Sequence, residues 1–151
     1  MVPNRIRAIA AFAAACTLTL AFIPLTVLAQ HDLGVESYQV PGVQVELTSV
    51  SRSPDGSIMV KWAYHNTTTR PQTIAKTGCV LEANGAKYPA MALGGGNMGA
   101  MQTTHAGTSN IVVNAHATYL AWAKVKDPGK GVSKVTVHIS GTSPFTDIPI
   151  T

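Results

Sequence analysis

The sequence is poor in charged residues and cysteine, and no amphipathic helical pattern occurs after residue 29. Charged side chains make up 12% of the 151 residues, and the only cysteines are Cys16 and Cys79. No run of lysine or arginine interleaved with aromatic residues is present, which argues against a nucleic-acid-binding protein. The chain after residue 29 also has no close carboxylate pair and no nucleophile-elbow sequence. Histidines and serines are present, but geometry defines a catalytic triad. The sequence therefore predicts no catalytic residues and no enzyme activity.

The first 29 residues have the pattern of a secretory signal peptide. Arg5 and Arg7 precede a long apolar run whose last three residues are Val-Leu-Ala. This pattern predicts cleavage after Ala29 and export to the periplasm or the medium. The apolar run is also long enough for an uncleaved membrane anchor, and Cys16 would carry the lipid of a lipoprotein. Pro24 and the small-residue end favour cleavage, which would leave no membrane span.

Cleavage after Ala29 would leave residues 30–151, a length that suits one domain. Loss of Arg5 and Arg7 would lower the formal net charge from +4 to +2, so the charge implies only weak attraction to anionic surfaces. Cys79 would remain as a single cysteine, which excludes an internal disulfide. We predict that it is buried on a strand, with a bridge between two chains as the alternative.

Alternation of apolar and polar residues predicts β-strands along the remaining chain. Residues 30–42 show no periodicity and are predicted to form an extended lead-in. The clearest strand is SIMVKWAYHN, which places Trp62 on an apolar face, and Trp122 in YLAWAKV is also expected in the core. Seven or eight short strands without helices predict an all-β, immunoglobulin-like antiparallel sandwich over residues 43–151, preceded by the N-terminal signal helix. A small barrel is the alternative.

Turn residues separate the predicted strands. SPDG at residues 53–56 predicts a turn, since Pro54 fixes φ at its second position. Asn84-Gly85 predicts a two-residue hairpin that pairs Ala83 with Ala86. The tail SPFTDIPIT contains two prolines and is therefore predicted to lie at a sheet edge.

Residues 91–110 are rich in glycine, threonine and serine, and they are predicted to form a long loop. Within them, GGGNMGAMQTTH places Met98, Met101 and His105 close together. Thioether and imidazole groups bind copper, especially Cu(I). The main prediction is that the protein holds no metal or other cofactor, and a copper site formed by these three residues is the alternative. An amino-terminal His31, exposed if processing removed Gln30, is a minor second copper hypothesis.

Three segments carry a resemblance to a known group of proteins: VKWAYHNTTTRP, YLAWAKV and VSKVTVHISGTSPFTDIPI. They resemble exported bacterial immunoglobulin-like β-sandwich proteins of unknown function. In that group a Trp-x-Tyr-x-Asn strand precedes a polar turn, and a Trp-Ala-Lys strand leads to a Pro-Phe-x-Asp-aliphatic-Pro-aliphatic end. The likeness spans residues 43–151 except the glycine-rich segment, and VKDP at residues 125–128 replaces the expected Phe-Pro-Ala-Pro. The resemblance implies fold and export, and no chemistry.

These observations favour a non-enzymatic exported module that binds a protein or another component of the cell envelope through loops or an edge strand. A periplasmic copper-binding protein that uses the Met98, Met101 and His105 segment is the alternative function.

Overall fold

The structure is a computed structural model that describes residues 33–75, 78–97, 103–104 and 110–151. These residues form eleven β-strands and no helix, so none of them belongs to a helix that could cross a membrane. The signal helix and the cleavage site predicted from the sequence lie outside the described residues. The strands are β1 (Val35–Ser37), β2 (Val43–Arg52), β3 (Ser57–Asn66), β4 (Gln72–Ile74), β5 (Cys79–Ala83), β6 (Ala86–Asn97), β7 (Thr103–Thr104), β8 (Ile111–Val113), β9 (Thr118–Lys126), β10 (Lys134–Ile139) and β11 (Phe145–Pro149).

Eight strands follow one antiparallel path in the order β1-β2-β3-β9-β6-β5-β10-β11, and β7 pairs with β6. β4 and β8 form a separate two-stranded sheet. Strand β6 joins the two halves of the main path, because residues 86–89 pair with β5 and residues 90–97 pair with β9. Its register shifts between Ala90 and Ala92, and such an irregularity bends a strand. The predicted all-β antiparallel sandwich is confirmed.

Backbone hydrogen bonds join both ends of this strand path to neighbouring segments of the chain. Arg52 N donates to Thr151 O at 2.8 Å, and Thr151 N donates to Val50 O at 3.0 Å, which joins the chain after β11 to the outer edge of β2. Beyond β1, Gln39 N donates to Gly141 O at 2.8 Å. The curled sheet is thus nearly closed, which explains why the strand pattern was also compatible with a barrel. The predicted edge position of the proline-rich tail is confirmed, since β11 ends the strand order.

The core lies between the inner faces of the curled sheet, and β3 contributes its largest side chains. Trp62 is 1% exposed, and Tyr64 is fully buried beside it. The predicted core position of Trp62 is confirmed. Cys79 is also buried on its strand, as predicted, and burial raises the pKa of its thiol to about 12. The hairpin prediction holds as well, because Ala83 pairs with Ala86 across the positive-φ turn.

Two predictions require correction. Trp122 is not in the core: it lies on the outer, half-buried face of β9, whereas Tyr119, Ala121, Ala123 and Val125 face inward. Residues 91–97 are not part of a loop, because they belong to β6. Within the segment predicted as an extended lead-in, residues 35–37 form β1 on the edge of β2.

Candidate functional site

The most distinctive surface of the molecule is the outer face of β3, β9 and β6. Strand registers place Lys61 opposite Trp122 and Trp122 opposite Gly94 in one row across the three strands. The next row along the strands places Leu120 opposite Gly96. We call these five residues the platform. Side chains two residues apart on a strand share a face, so the platform is a continuous strip of sheet surface.

The indole of Trp122 packs against strand β6 at Gly94. A Cβ built on Gly94 would lie at nearly equal, clashing distances from Cε2, Cζ2 and Nε1 of that indole. Those three atoms form the edge of the indole that carries the N–H group, so this edge occupies the space that a side chain at position 94 would need. The ring is half-buried on the outer face of β9. Only glycine allows this approach, which accounts for a glycine inside a strand.

The next residue of β6, Gly95, faces the inner side of the sheet. A Cβ on Gly95 would collide with the carbonyl oxygen of Leu120 and with the ring of Tyr119. Tyr119 and Trp122 leave β9 on opposite faces, and each ring occupies space that a side chain on β6 would need. The glycine-rich sequence of β6 is thus explained by aromatic residues of its neighbour.

Charged side chains flank the platform on the outer face of the sheet. Lys124 pairs with Asp55, and this contact, with hydrogen bonds from Ser57, lowers the pKa of Asp55 to about 2. At the other end, Glu46 is engaged by His65. No ion pair of the exposed Lys61 occurs within the described part of the chain. The carboxylates of Asp55 and Glu46 are therefore already in use, and Lys61 gives the strip a positive charge.

A chain of three polar side chains crosses the sheet at one end of the platform. His65 Nε2 lies 2.8 Å from Glu46 Oε2, and His65 Nδ1 lies 3.0 Å from Thr118 Oγ1. An ionised carboxylate can only accept, so His65 donates from Nε2 to Glu46, and its Nδ1 is paired with the Thr118 hydroxyl.

This order of groups resembles the relay of a hydrolase, and geometry is the proper test of such a site. A hydrolase also needs donors aimed at a developing oxyanion. Here the surrounding backbone groups belong to the β2–β3 and β3–β9 ladders. The chain of side chains therefore fixes the orientation of His65 without completing a catalytic site in the described residues.

A second pair, Glu82 and His138, lies on the other half of the sheet with 2.9 Å between carboxylate oxygen and Nε2. It borders an open polar cleft of about 200 Å³ that Lys134 and Asp147 also line. Asp147 has a positive φ of 58°. The cleft holds charges of both signs and no aromatic side chain, so it offers less for recognition than the platform.

A group of polar atoms is buried beneath the platform. Trp62 Nε1 and the hydroxyls of Tyr64 and Tyr119 find no hydrogen-bond acceptor or donor among the described residues. Burial raises the pKa of Tyr64, and the nearby indole of Trp62 acts in the opposite direction. The two side chains are therefore close, but their geometry falls short of a hydrogen bond. Large aromatic rings fill this region, and their polar atoms lack hydrogen bonds within the described residues.

Asn66 organises the turn that follows β3. Its Nδ2 donates to the carbonyl oxygens of Arg70 at 2.7 Å and of Val113 and Asn114 at 3.0 Å each. Its Oδ1 accepts from the backbone N and the hydroxyl of Thr68 at 2.9 and 2.8 Å. Asn66 is 2% exposed, so its role is structural. The sequence showed the polar turn but gave no sign that one amide holds it together.

The copper hypothesis concerns residues that the structure does not describe. Met98, Met101 and His105 all lie outside the described ranges, as does His31. Within those ranges, no group of three or more histidine, cysteine, aspartate or glutamate residues is placed to hold a metal ion. Met91, on β6, is 61% exposed.

The orientation of Trp122 was missed from the sequence, although a signal existed. Lys124 and Lys126 follow Trp122 at two-residue intervals, so all three share one face of β9. Turning that face inward would bury two ammonium groups at a large cost in desolvation. No protein family, no curated protein and no solved structure matches the chain.

Proposed function

We propose that this protein is a non-enzymatic, exported β-sandwich module that binds a protein or another component of the cell envelope through the platform. The observation that carries the proposal is the indole of Trp122, which packs against Gly94 on the outer face of the sheet and is only half-buried. Aromatic rings that combine a large apolar surface with a polar edge are enriched at binding sites. The signal-peptide pattern of residues 1–29 supports export to the periplasm or the medium.

The geometry favours the face of the sheet over its edges as the binding surface. β1 has three residues, and the outer edge of β2 beyond it is paired with Thr151. β11 ends at Pro149, which lacks a backbone donor. Short, capped and proline-containing edges discourage pairing with another chain. A partner would therefore bind the side chains of the platform more readily than the backbone of an edge strand.

A sedimentation experiment with isolated cell envelopes tests the proposal. Wild-type protein is expected to co-sediment, and Trp122→Ala is expected to lose most of that binding. Tyr88→Ala is the matched control, since Tyr88 is a half-buried aromatic residue on the other half of β6. The Tyr88 variant should bind like the wild type. Equal sedimentation of all three proteins, or of none, would count against the platform.

A further inference from the structure

We infer that the ligand of the platform is an acidic polysaccharide; this assignment rests on the binding function proposed above and names the chemical class of its ligand. A pyranose ring presents apolar C–H groups on its faces and hydroxyl groups around its rim. Such a ring stacks on an exposed indole and forms hydrogen bonds at the periphery. In the platform, Trp122 supplies the indole and Leu120 supplies an aliphatic neighbour.

The shape of the platform suits a chain of sugars. The glycines opposite Trp122 and Leu120 leave β6 without side chains on this face at those two rows, so no β6 side chain would obstruct a ligand there. Rows on one face repeat about every 7 Å along a strand, and neighbouring strands are about 4.8 Å apart. An extended polymer can therefore lie across the two rows, whereas a globular protein partner usually requires a much larger complementary area.

The charge of the platform selects an acidic polymer. Lys61 lies directly across from Trp122 and has no ion-pair partner in the described part of the chain. Asp55 and Glu46, at the two ends, are already bonded to Lys124 and His65. An acidic sugar stacked on the indole would bring its carboxylate within reach of the lysine. A neutral polysaccharide would leave that cation unused.

Affinity measurements with three polymers test the inference. Polygalacturonate carries both sugar rings and carboxylates, dextran carries rings alone, and polyphosphate carries charge alone. Purified protein should bind polygalacturonate more tightly than either other polymer. Trp122→Ala should weaken that binding by about tenfold. Lys61→Gln should weaken it by about threefold at low salt, and the loss should shrink as salt is added.

Two controls separate a direct effect from a general one. Lys87→Gln removes the same charge from an exposed position in the half of β6 that pairs with β5, and it should leave affinity unchanged. Acrylamide quenching provides an independent readout, because the chain has two tryptophans and Trp62 is almost fully buried. Bound polygalacturonate should protect the accessible tryptophan, Trp122, from the quencher.

The results distinguish failure of this inference from failure of the binding function. Binding of polyphosphate as tight as that of polygalacturonate, unaffected by Trp122→Ala, would show attraction by charge alone and overturn the inference. Absence of binding to polygalacturonate, together with Trp122-dependent sedimentation with envelopes, would also overturn it and leave the binding function intact. Failure of both experiments would remove the platform as a binding surface.

Discussion

Replacement of Asn66 by aspartate tests how the turn after β3 is held, with almost no change in side-chain volume. The Nδ2 group of Asn66 points at three carbonyl oxygens, those of Arg70, Val113 and Asn114. The bonds that Oδ1 accepts from Thr68 fix the amide in this orientation. In Asn66→Asp, those accepted bonds remain available, but an anionic oxygen faces the three carbonyl dipoles in a nearly water-free site.

The expected cost follows from that geometry. The two bonds from Thr68 offset part of the roughly 3–5 kcal/mol that an uncompensated buried charge costs, so we expect a loss of about 2–4 kcal/mol. Total stabilities of domains of this size are about 5–15 kcal/mol, so the loss would be large. The same environment raises the folded-state pKa of the new carboxyl above its unfolded value. The penalty is then complete above the folded-state pKa and shrinks as the pH falls through it, because the neutral acid can donate to one carbonyl.

Urea denaturation at pH 8 and pH 4 measures both effects as the difference between wild type and variant. Asn114→Asp is the matched control, since its side chain is exposed and the same change should shift stability by less than about 0.5 kcal/mol. Asp55 stays ionised at pH 4, because its contact with Lys124 lowers its pKa to about 2, and the comparison with wild type at each pH cancels the titration of groups that both proteins share. A loss below about 1 kcal/mol at pH 8 would refute the reasoning, as would an equal loss at both pH values.

Four further outcomes are expected. Trp62→Ala should reduce the free energy of unfolding by about 3–5 kcal/mol in urea melts, because its indole is buried in the core; a loss below about 1 kcal/mol would contradict this. Tyr64→Phe should change the free energy of unfolding by less than about 1 kcal/mol in the same assay, since its hydroxyl has no hydrogen-bond partner among the described residues, and a larger loss would show that the hydroxyl is bonded. Cu(I) added under reducing conditions should leave the melting temperature unchanged; a rise that Met98→Ala with Met101→Ala abolishes would establish the alternative copper site. Intact-mass measurement of exported protein should give a chain that starts at Gln30, and a mass that retains the first 29 residues would establish an uncleaved anchor.

The sequence predicted those parts of the fold in which local chemistry and tertiary packing agree. Asn84 and Gly85 supply the positive φ values that a two-residue hairpin needs, so the turn and its register could be predicted together. Trp62 lies in a regular alternation with no charged residue on its face, so its burial could be predicted. Asn66 was different, because its bonds reach Val113 and Asn114, far away along the chain. No local pattern reports a contact of that kind.

The candidate site was not predicted from the sequence, because Trp122 and the glycine run each give a misleading signal when considered alone. Trp122 suggests a core position by hydrophobicity, and a glycine run suggests a loop by backbone freedom. Pairing β9 with β6 reconciles them, since the ring covers the glycine backbone that would otherwise be exposed. The lysines that alternate with the inward residues of β9 already favoured an outward tryptophan.

The pairing of Trp122 with Gly94 has both a structural and a functional consequence. Glycine in a strand costs about 0.5–1 kcal/mol in backbone entropy, and an aromatic ring from the neighbouring strand offsets such a cost by covering the backbone. That role does not require Lys61 across the strand. The exposed part of the indole and Lys61, which forms no ion pair within the described residues, remain available for recognition. Stability and binding thus depend on different parts of one ring, and Trp122→Phe should preserve much of the first while reducing the stacking area that the second requires.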